Sequence, residues 1–402
     1  MSFFDSELEA ELARLERDSL RRHLRVVESS HDPWVVVDGR RMLMLASNNY
    51  LGLASHPEIA RAARDAIAKY GVGAGASRLI AGSIAPLHEL EREIASWKGL
   101  GSALVFGSGY LANLGVITAI AGSEDAVLSD ELNHASLIDG CRLSRARVLV
   151  YRHRDVDHLA SLLGESRAAR RRIIVTDSVF SMDGDLAPLG EIVELARRHR
   201  AIVMIDEAHG VGVLGAAGAG LAAQLGLERE VDVHVGTLSK ALGAYGAYVA
   251  GSRALTDYLV NRSRSFIYST GLAPAMAAAS RAAIGLLRAE PDRIARLWEN
   301  ALYLRAALER IGFAIAPTET PILPVIVGES ADAVALAARL MERGVYVIAI
   351  RPPTVPRGTA RLRVTPTAAH SRADLDFAIA AFEAAIREMR PVAMKPTSQS
   401  GV

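Results

Sequence analysis

The strongest constraint on this chain is the alternation, through its middle, of short apolar runs with helix-length segments. The runs are "SALVF" (102–106), "AVLSD" (126–130), "RVLVY" (147–151), "RRIIVTDS" (171–178), "AIVMIDEAHG" (201–210) and "VDVHVG" (231–236). Between them lie "YLANLGVITAIAG", "HASLIDGCRLSR", "DVDHLASLLG" and "PLGEIVELARRHR", which carry helical periodicity. Strands this apolar are ordinarily buried on both faces, and strand–helix alternation builds a mostly parallel sheet. The pattern predicts a doubly wound α/β domain over 51–270. Beyond it the texture changes to alanine-rich helices, then shorter strands at "PILPVIVG", "GVYVIAI" and "ARLRVT", then a closing helix "RADLDFAIAAFEAAIREM". That predicts a smaller C-terminal α+β domain over 271–390. Residues 1–50 are expected as a helical or extended segment packed on a domain or a second subunit. Residues 391–402 are expected as a flexible tail.

Composition narrows the class. At 402 residues the chain exceeds a minimal single core. A net charge of +1 gives no surplus to draw nucleic acid or membrane. Its lone cysteine, Cys141, allows neither an intrachain disulfide nor a thiolate zinc set, so a reducing cytoplasm is expected. The opening residues read as a charged amphipathic helix rather than a secretory leader. No apolar run is long enough to span a bilayer.

In an open parallel sheet, ligands bind beyond the carboxyl ends of the strands. "GSGYLAN" (107–113) follows a strand and opens a helix, where backbone N–H groups and the helix dipole favour an anion. An ordinary βα turn would read the same way. Asp206 ends a strongly apolar strand in "IDEAHG", with His209 three residues on. A carboxylate there needs a cationic partner or a cap. These two residues lack a third ligand at metal spacing, so no metal is expected. His134 in "NHAS" and Ser181 in "SVFSMDGD" also fall beyond strand ends. "GTLSKALGAYG" places Thr237, Ser239 and Lys240 past "VDVHVG". A lysine confined among small residues is partly desolvated, which makes its amine nucleophilic. A Schiff-base lysine, a phosphate cradle and an acidic partner for a pyridinium nitrogen are what pyridoxal 5'-phosphate requires. Lys240, the turn at 107–110 with Thr237 and Ser239, and Asp206 supply that set. "RAARRR" (167–172) reads as a solvated helix end, Cys141 as a buried apolar residue, and His153 and His158 as surface groups.

With "SNNYLGL", "SGYLAN", "NHASLIDG", "VFSMDGD", "DEAHGVGVLG", "GTLSKALG", "FIYST" and "IRPPTVPRGTARLRVT" in order from about residue 20 to about 385, the chain resembles the α-oxoamine synthases, pyridoxal-phosphate transferases of fold type I. The resemblance implies decarboxylative condensation of an amino acid with an acyl thioester. "FIYST" and "IRPPTVPRGTARLRVT" favour the branch of biotin synthesis, which joins L-alanine to pimeloyl-CoA or pimeloyl-acyl carrier protein. It further implies that Lys240 bonds the cofactor and moves the Cα proton, and that Asp206 pairs with the ring nitrogen. His209 and Ser181 would hydrogen-bond near the ring hydroxyl, and His134 would stack on the ring. Gly109, Tyr110 and Thr237 would line the cofactor and its phosphate. Asn48 and Arg363 would face the amino-acid carboxylate, and Arg21 and Thr354 the acyl substrate. Family members are homodimers with the site at the interface, so Ser269 and Thr270 would reach the partner's phosphate. Tyr110 departs locally from relatives with another aromatic or a smaller residue. Three alternatives stay open: a sibling synthase such as a glycine C-acetyltransferase, an aminotransferase or lyase on the same fold, and a binding protein without turnover.

Overall fold

The computed structural model describes residues 2–389, and the expected tail at 391–402 lies outside them. By their contacts the residues divide into two units. Of the described residues, the larger comprises 48–181 and 185–296, and the smaller comprises 2–47, 182–184 and 297–389.

The larger unit carries a seven-stranded sheet. Across it the order is Ser102–Phe106, Ala247–Gly251, Val233–Thr237, Ile202–Asp206, Arg172–Asp177, Ala126–Asp130 and Arg147–Tyr151. Ala247–Gly251 runs antiparallel to both neighbours, and the other pairs are parallel. The expected mostly parallel sheet is therefore present. Its inner strands Ala126–Asp130, Val233–Thr237 and Ala247–Gly251 are buried along their whole length because helices cover them. One face meets the helix Gly109–Ile120 through a core of Val116, Ile117, Val127, Ile173, Met204 and Val235. "RVLVY" differs from the two-sided burial expected of it. It is the terminal strand of the sheet, with Val148 and Val150 exposed.

The smaller unit holds a four-stranded sheet ordered Ala314–Ile315, Leu323–Gly328, Ala360–Val364 and Ile348–Ile350, all antiparallel. A second sheet, of three strands, pairs Trp34–Val37 with Arg40–Met44, and Arg40–Met44 in parallel with Val345–Tyr346. "GVYVIAI", expected as one strand, is thus split between two sheets. The unit's core gathers Leu43, Leu45, Leu304, Leu308, Leu336 and Leu362, with Phe313 and Phe382 edge to face at 5.4 Å.

The sequence reading draws its boundaries at 50/51 and 270/271. The division falls at Ser47/Asn48 and Arg296/Leu297 instead. Helix Pro274–Ala289 belongs with the larger unit because it packs on the helices Pro57–Tyr70 and Ala85–Lys98. The first 47 residues belong with the smaller unit because their strand Arg40–Met44 pairs there. "RAARRR" is turn and strand start rather than a helix end, and Arg170 makes paired hydrogen bonds to the buried Asp125.

Candidate active site

Three neighbouring strands of the larger unit end side by side at Asp177, Asp206 and Thr237. Asp206 is 4% exposed, and its carboxylate accepts from Asn113 Nδ2 at 2.7 Å and from the Ala208 N–H at 2.8 Å. Asn113 comes from the second turn of the helix Gly109–Ile120, whose start is capped by the Ser108 side chain. The Asn113 amide also donates to Ser136 Oγ at 2.9 Å, while its Oδ1 is buried without a partner. Asp177 lies level with Asp206 in the sheet and is buried beside it. Burial, with the charge of Asp206, pushes the Asp177 carboxyl well above the usual range.

Lys240 follows the strand end in a turn closed by Gly243. Gly243 has φ +64°, and a Cβ there would lie 2.4 Å from the Ala54 backbone nitrogen, so no larger residue fits. The turn brings Lys240 Nζ to 2.8 Å from His209 Nε2. His209 Nδ1 stands 2.7 Å from the Tyr50 hydroxyl, which donates to Asn48 Oδ1 at 3.3 Å. "SNNYLGL" places these residues because Asn49 Oδ1 accepts from the Leu53 and Ala54 N–H groups at 2.9 and 3.2 Å. That holds the stretch in a compact turn.

His134 caps the helix Ala135–Leu143. Its backbone N–H donates to Asp177 Oδ2 at 2.7 Å, and its ring Nδ1 meets Ser136 Oγ at 2.7 Å. As a residue His134 is exposed in the single chain. The crowding of its base lowers the imidazole pKa, Asp206 opposes the shift and Lys240 reinforces it. Gly109 lies so close to Thr237 that a Cβ would fall 2.8 Å from Thr237 Cγ2. Thr237 itself is buried and ends the strand rather than following it. Tyr110 is exposed, and its hydroxyl donates to Asp139, which raises the phenol's pKa. Ser239 is exposed. Ser181 is half-buried on a hairpin bridged by Val179 and Leu186. Ser269 is half-buried, and Thr270 bridges to Ser77.

Arg21, Thr354 and Arg363 belong to the smaller unit. There Arg22 donates to Thr354 Oγ1 at 3.3 Å, and Arg351 donates to the Ser19 and Arg21 carbonyls. Arg21 and Thr354, far apart in sequence, are thus drawn to one patch. Arg21 lies 3.6 Å from Glu16, and Arg363 is buried in the strand Ala360–Val364.

Three residues of the site were missed. Asn113 and Tyr50 stand inside motifs already singled out, and Asp177 closes "RIIVTD", so position relative to strand ends was the available signal. His153 is corrected. It is half-buried between Asp130 at 3.0 Å and Asp185 at 2.9 Å, edge-on to Phe180.

The residues fit pyridoxal 5'-phosphate. A buried carboxylate held by two neutral donors suits a protonated ring nitrogen. The first-turn amides at Gly109 suit a phosphate, and the close Gly109–Thr237 approach leaves no room for a side chain at that position. Lys240 supplies the amine. Among the described residues no group of three or more His, Cys, Asp or Glu is placed to hold a metal.

Residues 40–382 match the aminotransferase class I and II family. The chain is 52% identical over 382 residues to an 8-amino-7-oxononanoate synthase of Anaeromyxobacter dehalogenans, covering 95% of this chain and 96% of that one. It is 50% identical over 373 residues to the synthase of the same name from Geobacter sulfurreducens, covering 92% and 95%. Among solved structures, a serine palmitoyltransferase from S. paucimobilis with bound PLP aligns with a TM-score of 0.91 at 32% identity, covering 96% of this chain and 99% of that one. An 8-amino-7-oxononanoate synthase from Francisella tularensis aligns with a TM-score of 0.75 at 25% identity, covering 87% and 98%.

Proposed function

The chain belongs to the aminotransferase class I and II family, and from that premise we propose a pyridoxal-phosphate-dependent acyltransferase of biotin synthesis. It joins L-alanine to pimeloyl-CoA or pimeloyl-acyl carrier protein. A carbon–carbon bond forms between alanine Cα and the thioester carbonyl, the thiol leaves, the alanine carboxyl departs as CO2, and 8-amino-7-oxononanoate is the product. The relatives' near-full-length identity supports that choice of substrates. The observation that carries the chemistry is the Lys240 amine beside His209, at the sheet edge that also holds the buried Asp206 carboxylate.

When bound, the cofactor supplies an electron sink for the charge left at Cα. The chain's own residues do the rest. Asp206 keeps a proton on the ring nitrogen, with Asn113 and the Ala208 N–H holding that carboxylate in place. Lys240 removes the Cα proton and later returns one. His209 and Ser181 hydrogen-bond near the ring hydroxyl, and His134 covers one ring face. Gly109, Tyr110, Thr237 and Ser239 line the phosphate side. Asn48 and Arg363 bind the alanine carboxylate, and Arg21 and Thr354 the acyl chain. The enzyme works as a cytoplasmic homodimer, with Ser269 and Thr270 serving the partner's phosphate. No helix among the described residues is long and apolar enough to cross a membrane.

A thiol-release assay tests this reading. It crosses alanine, glycine and serine against acetyl-, succinyl-, palmitoyl- and pimeloyl-CoA, with pimeloyl-acyl carrier protein as a further donor. The expected maximum is alanine with a pimeloyl donor. The likeness to serine palmitoyltransferase favours a second reading, a sibling synthase, which a maximum with serine and palmitoyl-CoA would establish. Amino transfer without thiol release would instead indicate an aminotransferase.

A further inference from the structure

We propose that Ser136 is a positioning residue that holds His134 Nδ1 as an acceptor, so that Nε2 carries the hydrogen of the imidazole. The inference rests on the proposed place of His134 over the cofactor ring. It goes beyond that reading in naming which nitrogen bears the hydrogen and which residue decides it. A ring with its hydrogen on Nε2 and its Nδ1 lone pair already taken can donate a hydrogen bond. It has no free nitrogen to accept the Cα proton, so Lys240 is left as the base.

The direction follows first from a peptide group. The Ser136 backbone N–H can only donate, and it reaches His134 Nδ1 at 3.2 Å, where the imidazole caps the helix Ala135–Leu143. Nδ1 therefore presents its lone pair. The Ser136 hydroxyl lies closer, 2.7 Å from the same nitrogen, and with no hydrogen on Nδ1 it is the hydroxyl that donates. Its oxygen keeps lone pairs for Asn113 Nδ2 at 2.9 Å. The other hydrogen of that amide goes to Asp206 Oδ2 at 2.7 Å. Each hydrogen is thus used once from Asp206 through Asn113 and Ser136 to His134. The orphaned Asn113 Oδ1 is the penalty of this direction. Turned over, the amide would set Oδ1 against the Asp206 carboxylate and the Ser136 oxygen. A hydrogen on Nδ1 would instead face the peptide N–H, and the Ser136 hydroxyl would lack an acceptor among the described residues. Asn113 is 0% and Ser136 1% exposed, so bulk solvent does not replace these partners. Burial around the base of His134 lowers the imidazole pKa against the pull of Asp206, which keeps the ring neutral at pH 7.

Solid-state nitrogen-15 spectra of histidine-labelled holoenzyme at pH 7 read the tautomer directly, without substrate. The His134 signals are assigned by their loss in His134→Gln. The expected wild-type result is a protonated Nε2 and an unprotonated Nδ1. Ser136→Ala keeps the peptide N–H and loses the hydroxyl. Its tautomer ratio should shift toward protonated Nδ1 by about three- to tenfold, the worth of one net hydrogen bond. A wild-type ring protonated on Nδ1, alone or together with Nε2, overturns the proposal whether or not the variant folds. A folded Ser136→Ala with an unchanged ratio also overturns it, since the side chain would then only fill space. Neither spectrum involves a thioester or turnover, so a wrong assignment of acyl substrate would fail the thiol-release assay and leave these results untouched.

Discussion

In the proposed reaction a single amine, that of Lys240, bonds the cofactor and carries a proton. The residue stands where a strand has just ended, among small neighbours, with His209 in hydrogen-bond contact. Lys240→Ala should lower turnover at least about 10²–10⁴-fold, the range of a lost general base. It should also abolish the absorbance band that the covalently held cofactor gives in the wild type. A variant whose bound cofactor absorbs as before would remove Lys240 from its role. This residue was legible in the sequence because a lone cation among glycines and alanines satisfies neither a core nor a surface. Asp177 was not legible. Its meaning depends on lying level with Asp206 in the neighbouring strand, and strand adjacency between segments that far apart is set by the sheet order, which one sequence does not display.

Elements behind the site are held by buried charges. The hairpin carrying Ser181 is braced at its base by His153, which contacts Asp130 and Asp185, with Arg154 also reaching Asp185 at 3.2 Å. Burial alone would depress the His153 pKa, but hydrogen bonds to the two carboxylates outweigh it and raise it to about 9. A group whose pKa rises on folding stabilises the fold fully below its unfolded value. That stabilisation is lost as pH climbs through about 9. The wild-type unfolding free energy should therefore fall between pH 6.5 and 9 by at most about 3 kcal/mol. His153→Gln should show a flatter profile over that window in chemical denaturation. Equal slopes would show that the brace contributes nothing. A second cluster lies behind the Asp206–His209 loop. Lys98 contacts Glu207 and the Ala219 carbonyl, and His234 Nδ1 lies 3.3 Å from Glu207, all fully buried. Burial would raise the Glu207 pKa, but Lys98 and His234 pull it to about 2. Lys98→Met removes the full cation from that buried carboxylate and should cost about 3–5 kcal/mol. Lys98→Met with Glu207→Gln should recover part of the loss, read as a partly restored melting temperature. Lys98 and Glu207 looked unremarkable in sequence, since a lysine at a helix end and a glutamate after an aspartate are ordinarily solvated.

For the whole molecule, the assembly prediction falls on the larger unit's exposed apolar residues. Val72, Leu79, Ile80 and Tyr268 are exposed, Ile80 by 81%, and the Ser77–Thr270 bridge draws their two stretches together. Apolar surface of this kind marks a contact site. The proposed homodimer should sediment at twice 42.9 kDa, and Ile80→Asp should shift it toward the single-chain mass. A variant as dimeric as the wild type would move the interface elsewhere. The alternating middle of the chain announced the large sheet and its nearly parallel order. The boundaries were less legible, because membership of the smaller unit is decided by Arg40–Met44 pairing with Val345–Tyr346, a partnership invisible to local periodicity. That pairing also governs how the protein is born. A ribosome adds roughly 5–20 residues per second, so the first strand waits roughly 15–60 s for its partner to emerge. Over that interval Met42, Leu43 and Met44, destined for burial, have only the adjoining strand Trp34–Val37 of their own unit beside them. The nascent chain is thus most open to chaperones and to misassociation at its amino end, while the large sheet between the two halves of the smaller unit is already being made.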